Sequence, residues 1–151
     1  MEEKSVLFVC LGNVIRSPIC EGLFRKLTNG EVRVDSCAVL RDADENEHPE
    51  AFATKVAQEH GFDISNHLSR IINEQDFRDY TYIVSLEPDV FHLLNRKKPN
   101  DCRCVIIELA PDRAISNPWK CPYKYFIPMY KDIAECMDVF INKYFPVYKK
   151  K

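Results

Sequence analysis

Short uninterrupted apolar runs alternate along this chain with longer stretches in which apolar residues recur every three or four positions. Four β-branched-rich segments, Ser5–Val9, Glu31–Asp35, Tyr80–Val84 and Arg103–Glu108, read as strands. Runs such as Val6-Leu7-Phe8-Val9 and Tyr82-Ile83-Val84 have no polar face, which suits strands covered on both sides of a parallel sheet. Helical patterns fill the gaps. Ser17-Pro18 reads as an N-cap followed by proline at the first helical position, and Asn29-Gly30 stops that helix. Pro49-Glu50 opens a second helix, with Phe52, Val56 and Ala57 on one face, ending at Gly61; Pro88 to Leu94 makes a third. The longest runs from about Tyr125 to Tyr144, with Ile133, Cys136, Met137, Phe140 and Ile141 at i, i+3, i+4 steps. This alternation predicts one α/β domain over residues 1–151, a four-stranded parallel sheet with helices on both faces. Ligands bind at the carboxyl ends of such strands.

Composition narrows the function classes. At 151 residues, 46% hydrophobic and 29% charged with a formal charge of −2, the chain fits a single globular domain and carries no whole-chain signal for nucleic acid or a membrane surface. No apolar run approaches the roughly 20 residues of a membrane span, and Met1-Glu2-Glu3-Lys4 does not open like a signal peptide. The expectation is a soluble, cytoplasmic monomer with no nucleic-acid or membrane partner. Lys149-Lys150-Lys151 reads as a frayed, solvated end. Seven cysteines without a secretory signal point to reduced thiols, most of them small core residues. Cys102-Arg103-Cys104 is the only close pair, and its spacing places both on one face of a strand-like segment. Histidines 48, 60, 67 and 92 do not recur near the cysteines at ligand spacing, so neither zinc nor another metal is expected.

The junction after the first strand reads Val9-Cys10-Leu11-Gly12-Asn13-Val14-Ile15-Arg16-Ser17-Pro18. A tight loop leading into a helix N-terminus presents successive backbone N–H groups, a concave ring suited to a phosphate-sized anion. Gly12 and Asn13 tolerate the left-handed backbone such a loop needs. Arg16 supplies a planar fork for two phosphoryl oxygens. The same positive surroundings favour a thiolate on Cys10, and Ser17 can donate to that sulfur and assist its departure from phosphorus. Either half alone reads as packing, a buried cysteine or a capping serine. Cysteine, five residues, arginine and serine between a strand and a helix read instead as a phosphate loop.

The stretch Val9 to Glu21 resembles the signature of the low-molecular-weight protein tyrosine phosphatases, and the resemblance extends over nearly the whole chain. Asp35-Ser36, His67-Leu68-Ser69-Arg70, Phe77 to Ile83 and Asn117-Pro118-Trp119 stand where that family has matching segments. The resemblance implies hydrolysis of phosphotyrosine in proteins or of small aryl phosphates, with no cofactor or metal. It makes Cys10 the nucleophile and Arg16 the phosphate clamp. Leu11, Gly12, Asn13, Val14, Ile15, Arg16 and Ser17 line the cradle. Asn13, Ser36 and His67, with Ser17, form a supporting network.

Three departures from the family pattern matter. Asn117 occupies the position of the general-acid Asp; asparagine cannot protonate a tyrosine leaving group, whose pKa is about 10. General acid–base help is typically worth about 10²–10⁴-fold, so slowed turnover is expected unless Asp112, five residues upstream, substitutes. Ile15 replaces the cysteine that many members carry before the arginine, which removes a disulfide partner for Cys10 and leaves it open to over-oxidation. The pocket keeps one aromatic, Trp119, followed by Lys120. The facing wall, Leu40–Pro49, has no aromatic and four carboxylates, Asp42, Asp44, Glu45 and Glu47. The alternative to an enzyme is a pseudophosphatase that binds phosphate or phosphotyrosine without turnover. An arsenate reductase on this fold would need further cysteines near the third strand, and residues 80–95 contain none.

Overall fold

A computed structural model describes residues 3–150; Met1, Glu2 and Lys151 lie outside the described residues. In chain order the elements are β1 (Ser5–Cys10), α1 (Arg16–Leu27), β2 (Arg33–Ala38), α2 (Ala51–Glu59), α3 (Asp76–Asp79), β3 (Tyr82–Ser85), α4 (Pro88–Lys97), β4 (Val105–Glu108) and α5 (Phe126–Tyr144). The four strands form one sheet in the order β2-β1-β3-β4, every pair parallel.

The apolar runs of the sequence have their cause in this arrangement. On one face Val6 and Phe8 of β1 pack with α1, α2 and α5, and Phe8, Phe24, Phe140 and Phe145 form an aromatic cluster with neighbouring ring centroids 5.2–6.1 Å apart. On the other face Leu7, Val9 and Ile83 meet Phe77, Val90 and Leu94. Alternate residues from Val6 to Val9 therefore both enter a core, and none of these four positions is left for a polar side chain. Gly22 lets α1 lie against the 62–64 segment: a Cβ there would meet Ile64 Cγ2 at 2.7 Å and Phe62 Cδ2 at 2.8 Å.

Boundaries moved where packing overrode local signals. β2 begins and ends later than the apolar run Glu31–Asp35 suggests, because each of the six β1 residues takes a partner, from Ser5–Arg33 to Cys10–Ala38. α1 starts at Arg16 behind Ile15, and Ser17 does not cap it; its hydroxyl is turned to Cys10 and Asn13 instead. Asn29 and Gly30, with φ +56° and +69°, end that helix as their residue types suggest. The single turn α3 is too short for an apolar period. It is held by Asp76, which accepts from the Asn73 backbone and from both terminal nitrogens of Arg70.

From β1 the chain crosses to β2 on one side, then to β3 on the other. The loops after β1 and β3 diverge at the carboxyl ends of neighbouring strands and leave a crevice there. Among the described residues no helix is long and apolar enough to cross a membrane. Lys149 and Lys150 are exposed.

Candidate active site

Loop 11–15 folds back over the end of β1. Asn13 alone in it takes a left-handed backbone, φ +61°; Gly12, expected to share that conformation, does not, and open space surrounds it. The turn aims the Asn13 backbone N–H at Cys10 Sγ, 3.3 Å away. Ser17 Oγ lies 2.9 Å from the same sulfur. That hydroxyl already accepts from Asn13 Nδ2 at 2.8 Å, so its own hydrogen is free for the sulfur. Two donors thus converge on Cys10, an arrangement suited to an anionic nucleophile.

The Asn13 side chain is the hub beneath the loop. It is fully buried; Nδ2 donates to Ser17 and to Ser36 Oγ at 2.9 Å, while Oδ1 accepts from the Arg70 backbone N–H at 3.2 Å. His67 Nε2 stands 3.0 Å from the same oxygen, and since that oxygen must accept, Nε2 carries the hydrogen. Every hydrogen-bonding position of the amide is occupied. The side chains of the four residues expected to cooperate, Asn13, Ser17, Ser36 and His67, are brought together behind the loop; of the four only Asn13 also lines the cavity.

Glu21 completes this cluster and was not foreseen. Its Oε1 accepts from Ser36 Oγ at 2.7 Å and faces His67 Nδ1 at 3.5 Å; Oε2 accepts from Arg25 at 2.7 Å. Burial pushes the carboxyl up, but hydrogen bonds from His67, Arg25 and Ser36 outweigh it and hold Glu21 below the usual carboxylate range. A carboxyl depressed by folding stabilises the protein above its unfolded pKa, about 4.3, and that contribution disappears as pH falls through the lower folded value. Glu21→Gln is therefore expected to flatten the acid side of the stability–pH curve, measured by urea unfolding from pH 3 to 6. An unchanged curve would remove Glu21 from the network's energetics. Its sequence signal was position: four residues after Ser17, on the same buried face of α1.

Arg16 is 2% exposed. Its Nη1 donates to the Ile115 carbonyl at 3.1 Å and Nη2 to Glu87 Oε1 at 3.0 Å, so two of its five N–H groups are committed and three remain for an anion. Glu87 stands at the residue before α4, just past β3 and across the crevice from the loop, and its side chain makes no capping hydrogen bond to that helix. It too escaped sequence reasoning, although the residues following β3 at a switch point were the place to look.

Cys10 and residues Leu11 to Arg16 floor a cavity of about 590 Å³. One wall carries Asp42, Asp44, Glu47 and Glu50, and the lining also includes Asn117 and Trp119. Glu45, counted with the wall from sequence, does not line the cavity, and Glu50 takes its place while its Oε2 caps α2 at Phe52. Lys120 is not among the lining residues either. Asp112, considered as a substitute acid, lies outside the cavity, exposed beside Arg113 at 3.4 Å. Ile15 and Cys20 are both buried, Cys20 completely. Among the described residues no cluster of three or more His, Cys, Asp or Glu could hold a metal ion.

A family model described as low molecular weight phosphotyrosine protein phosphatase matches residues 5–137. The chicken (Gallus gallus) protein of that name is 34% identical over 154 residues, covering 94% of this chain and 96% of the chicken protein. The crystal structure of Primo-1 superposes with a TM-score of 0.86 at 25% identity, over 94% of this chain and 99% of that one. That of DARP, a Drosophila arginine phosphatase, gives 0.85 at 28% identity over 93% and 97%.

Proposed function

The chain belongs to the low molecular weight phosphotyrosine protein phosphatase family, and from that premise we propose that it hydrolyses phosphotyrosine-like aryl phosphomonoesters through a phosphocysteine intermediate. The observation that carries this reading is the convergence of the Ser17 hydroxyl and the Asn13 amide on Cys10 Sγ, beside a buried guanidinium with N–H groups to spare. A phosphoryl dianion placed over the sulfur is held by the amides of the loop and by the Arg16 fork, donors fixed before the reaction begins. The sulfur attacks phosphorus, the P–O bond breaks, and the aryl oxide leaves. Water then attacks the phosphocysteine, and the Ser17 hydroxyl supports the departing thiolate. Asn117 on the cavity wall offers neither an acid for the first step nor a base for the second, so both are slow.

Rapid-mixing kinetics with a nitrophenyl phosphate test this directly. A burst of nitrophenol equal to the enzyme concentration, followed by slow steady release, is the expected result. Tight phosphate binding without a burst would instead make the protein a phosphate-binding pseudophosphatase, and neither binding nor burst would overturn both.

The acidic wall favours a second substrate. Asp42, Asp44, Glu47 and Glu50 bring four carboxylates to the cavity, which disfavours the acidic flanks of many phosphotyrosine sites and suits a cationic carrier. A phosphorylated guanidinium already bears its proton, so its P–N bond can break to give a neutral guanidine without an acid on the wall. The likeness to an arginine phosphatase points the same way. Comparing phosphoarginine with phosphotyrosine as substrates decides between them. Arginine-side turnover exceeding the aryl rate supports this reading, and a clear aryl preference removes it.

A further inference from the structure

A second cluster of reactive groups sits at the opposite end of the sheet from the phosphate cradle. The cradle follows the last residue of β1, whereas Cys102 and Cys104 precede the first residue of β4, and parallel strands place these at opposite ends. The two sulfurs are 3.5 Å apart and both are free thiols. Cys104 is buried against Leu7, Ile83 and Leu94 in the α4-side core, while Cys102 is half-buried. Both sulfur-bearing residues line a surface cleft with Arg78, Asp79, Thr81 and Arg103. The phosphatase reading uses neither of them.

The spacing discriminates among the reactions open to a thiol pair. A disulfide, with its S–S bond of about 2.05 Å, needs these sulfurs to close by about 1.5 Å from their 3.5 Å separation. With bonds of about 2.3 Å from each sulfur to one shared atom, 3.5 Å corresponds to an angle of about 100° at that atom. The pair thus already has the bite of a two-thiolate chelate. A tetrahedral metal needs more ligands than the pair: the cleft also holds Glu3, Asp79 and Asp101, but among the described residues none of them groups with the two cysteines to hold a metal ion. A pyramidal trivalent centre that brings its own third substituent needs only these two.

We propose that Cys102 and Cys104 form a chelating site for trivalent arsenicals, arsenite or a monosubstituted organoarsenical. With arsenite, As(OH)₃ and two thiols give a cyclic dithioarsenite bearing one hydroxyl and two waters. Two As–S bonds replace two As–O bonds, each thiol proton leaves in water, and arsenic remains trivalent. Cys102 S–H donates to the Pro99 carbonyl at 3.2 Å, so the hydrogen between the sulfurs belongs to Cys104. Burial, with Cys102 alongside, pushes the Cys104 thiol up to about 12. Capture begins at the accessible Cys102 and closes on Cys104.

Phenylarsine oxide, followed by intact-protein mass spectrometry, is the probe. The whole chain is expected to hold one phenylarsenic group that survives excess glutathione and is released by a dithiol such as dimercaptopropanol. Loss of chelation removes an effective-concentration advantage of about 10²–10⁴, so Cys102→Ser should weaken retention at least 100-fold. Cys102 is half-buried, which makes that variant a safe one for folding; Cys104→Ser should do the same. Cys10→Ser should keep the adduct, placing it away from the cradle. Retention unchanged in Cys102→Ser, or an adduct that glutathione strips from the unaltered chain, would overturn the proposal. Neither result depends on whether the protein hydrolyses a phosphate ester.

Discussion

Cys10→Ser is expected to abolish phosphate release from every ester while leaving oxyanion binding intact. The reason lies in how the sulfur is served. Its two donors, the Ser17 hydroxyl at 2.9 Å and the Asn13 amide at 3.3 Å, stabilise an anion on that atom. An alcohol oxygen in the same place is a much poorer nucleophile toward phosphorus than sulfur is. The loop amides and the Arg16 fork do not depend on the sulfur, because Arg16 is anchored by Ile115 and Glu87. Calorimetric titration with vanadate or tungstate should give affinities within a few-fold of the parent, alongside phosphate release at the uncatalysed rate. Measurable turnover in the variant would take Cys10 out of the mechanism; lost anion affinity would mean that the sulfur, not the loop, shapes the cradle.

Asn117→Asp should raise kcat on esters of ordinary phenols by about 10²–10⁴-fold, the usual worth of general acid–base participation. Nitrophenyl esters, whose leaving groups need little protonation, should gain far less. A plot of log kcat against leaving-group pKa is expected to be steep for the parent and nearly flat for the variant. The two proteins should also differ in pH dependence. An acid on the wall works only while protonated, so the variant should lose activity as pH rises through the pKa of the introduced carboxyl; the parent should lack that limb. Four carboxylates across the cavity favour the protonated form and push the limb upward. No gain on any ester would mean that position 117 does not reach the leaving group. A gain for aryl esters without one for phosphoarginine would fit the two leaving-group chemistries set out above.

The cradle was legible because its chemistry is local. Residues 10–17 are contiguous, and a cysteine and an arginine held six residues apart between a strand and a helix state their geometry in one dimension. Val6-Leu7-Phe8-Val9 announced a strand buried on both faces for the same reason. What escaped was set by distant partners. Glu87 lies 71 residues from the guanidinium it holds, and Arg70 reaches Asn13 across 57 through its backbone N–H, a group that no residue type advertises. Glu21 looked like any helical glutamate until Ser36 and His67 closed on it. The later limits of β2 follow from its register with β1, and register is a property of the pair rather than of either segment.

The saturated amide of Asn13 has a thermodynamic consequence. It ties the loop to α1 through Ser17, to β2 through Ser36 and to the 67–70 segment through His67 and Arg70, all before any anion arrives. A loop already immobilised surrenders little conformational entropy on occupancy, so more of the interaction energy of each amide is expressed as affinity. Folding, not binding, has met the cost of ordering it.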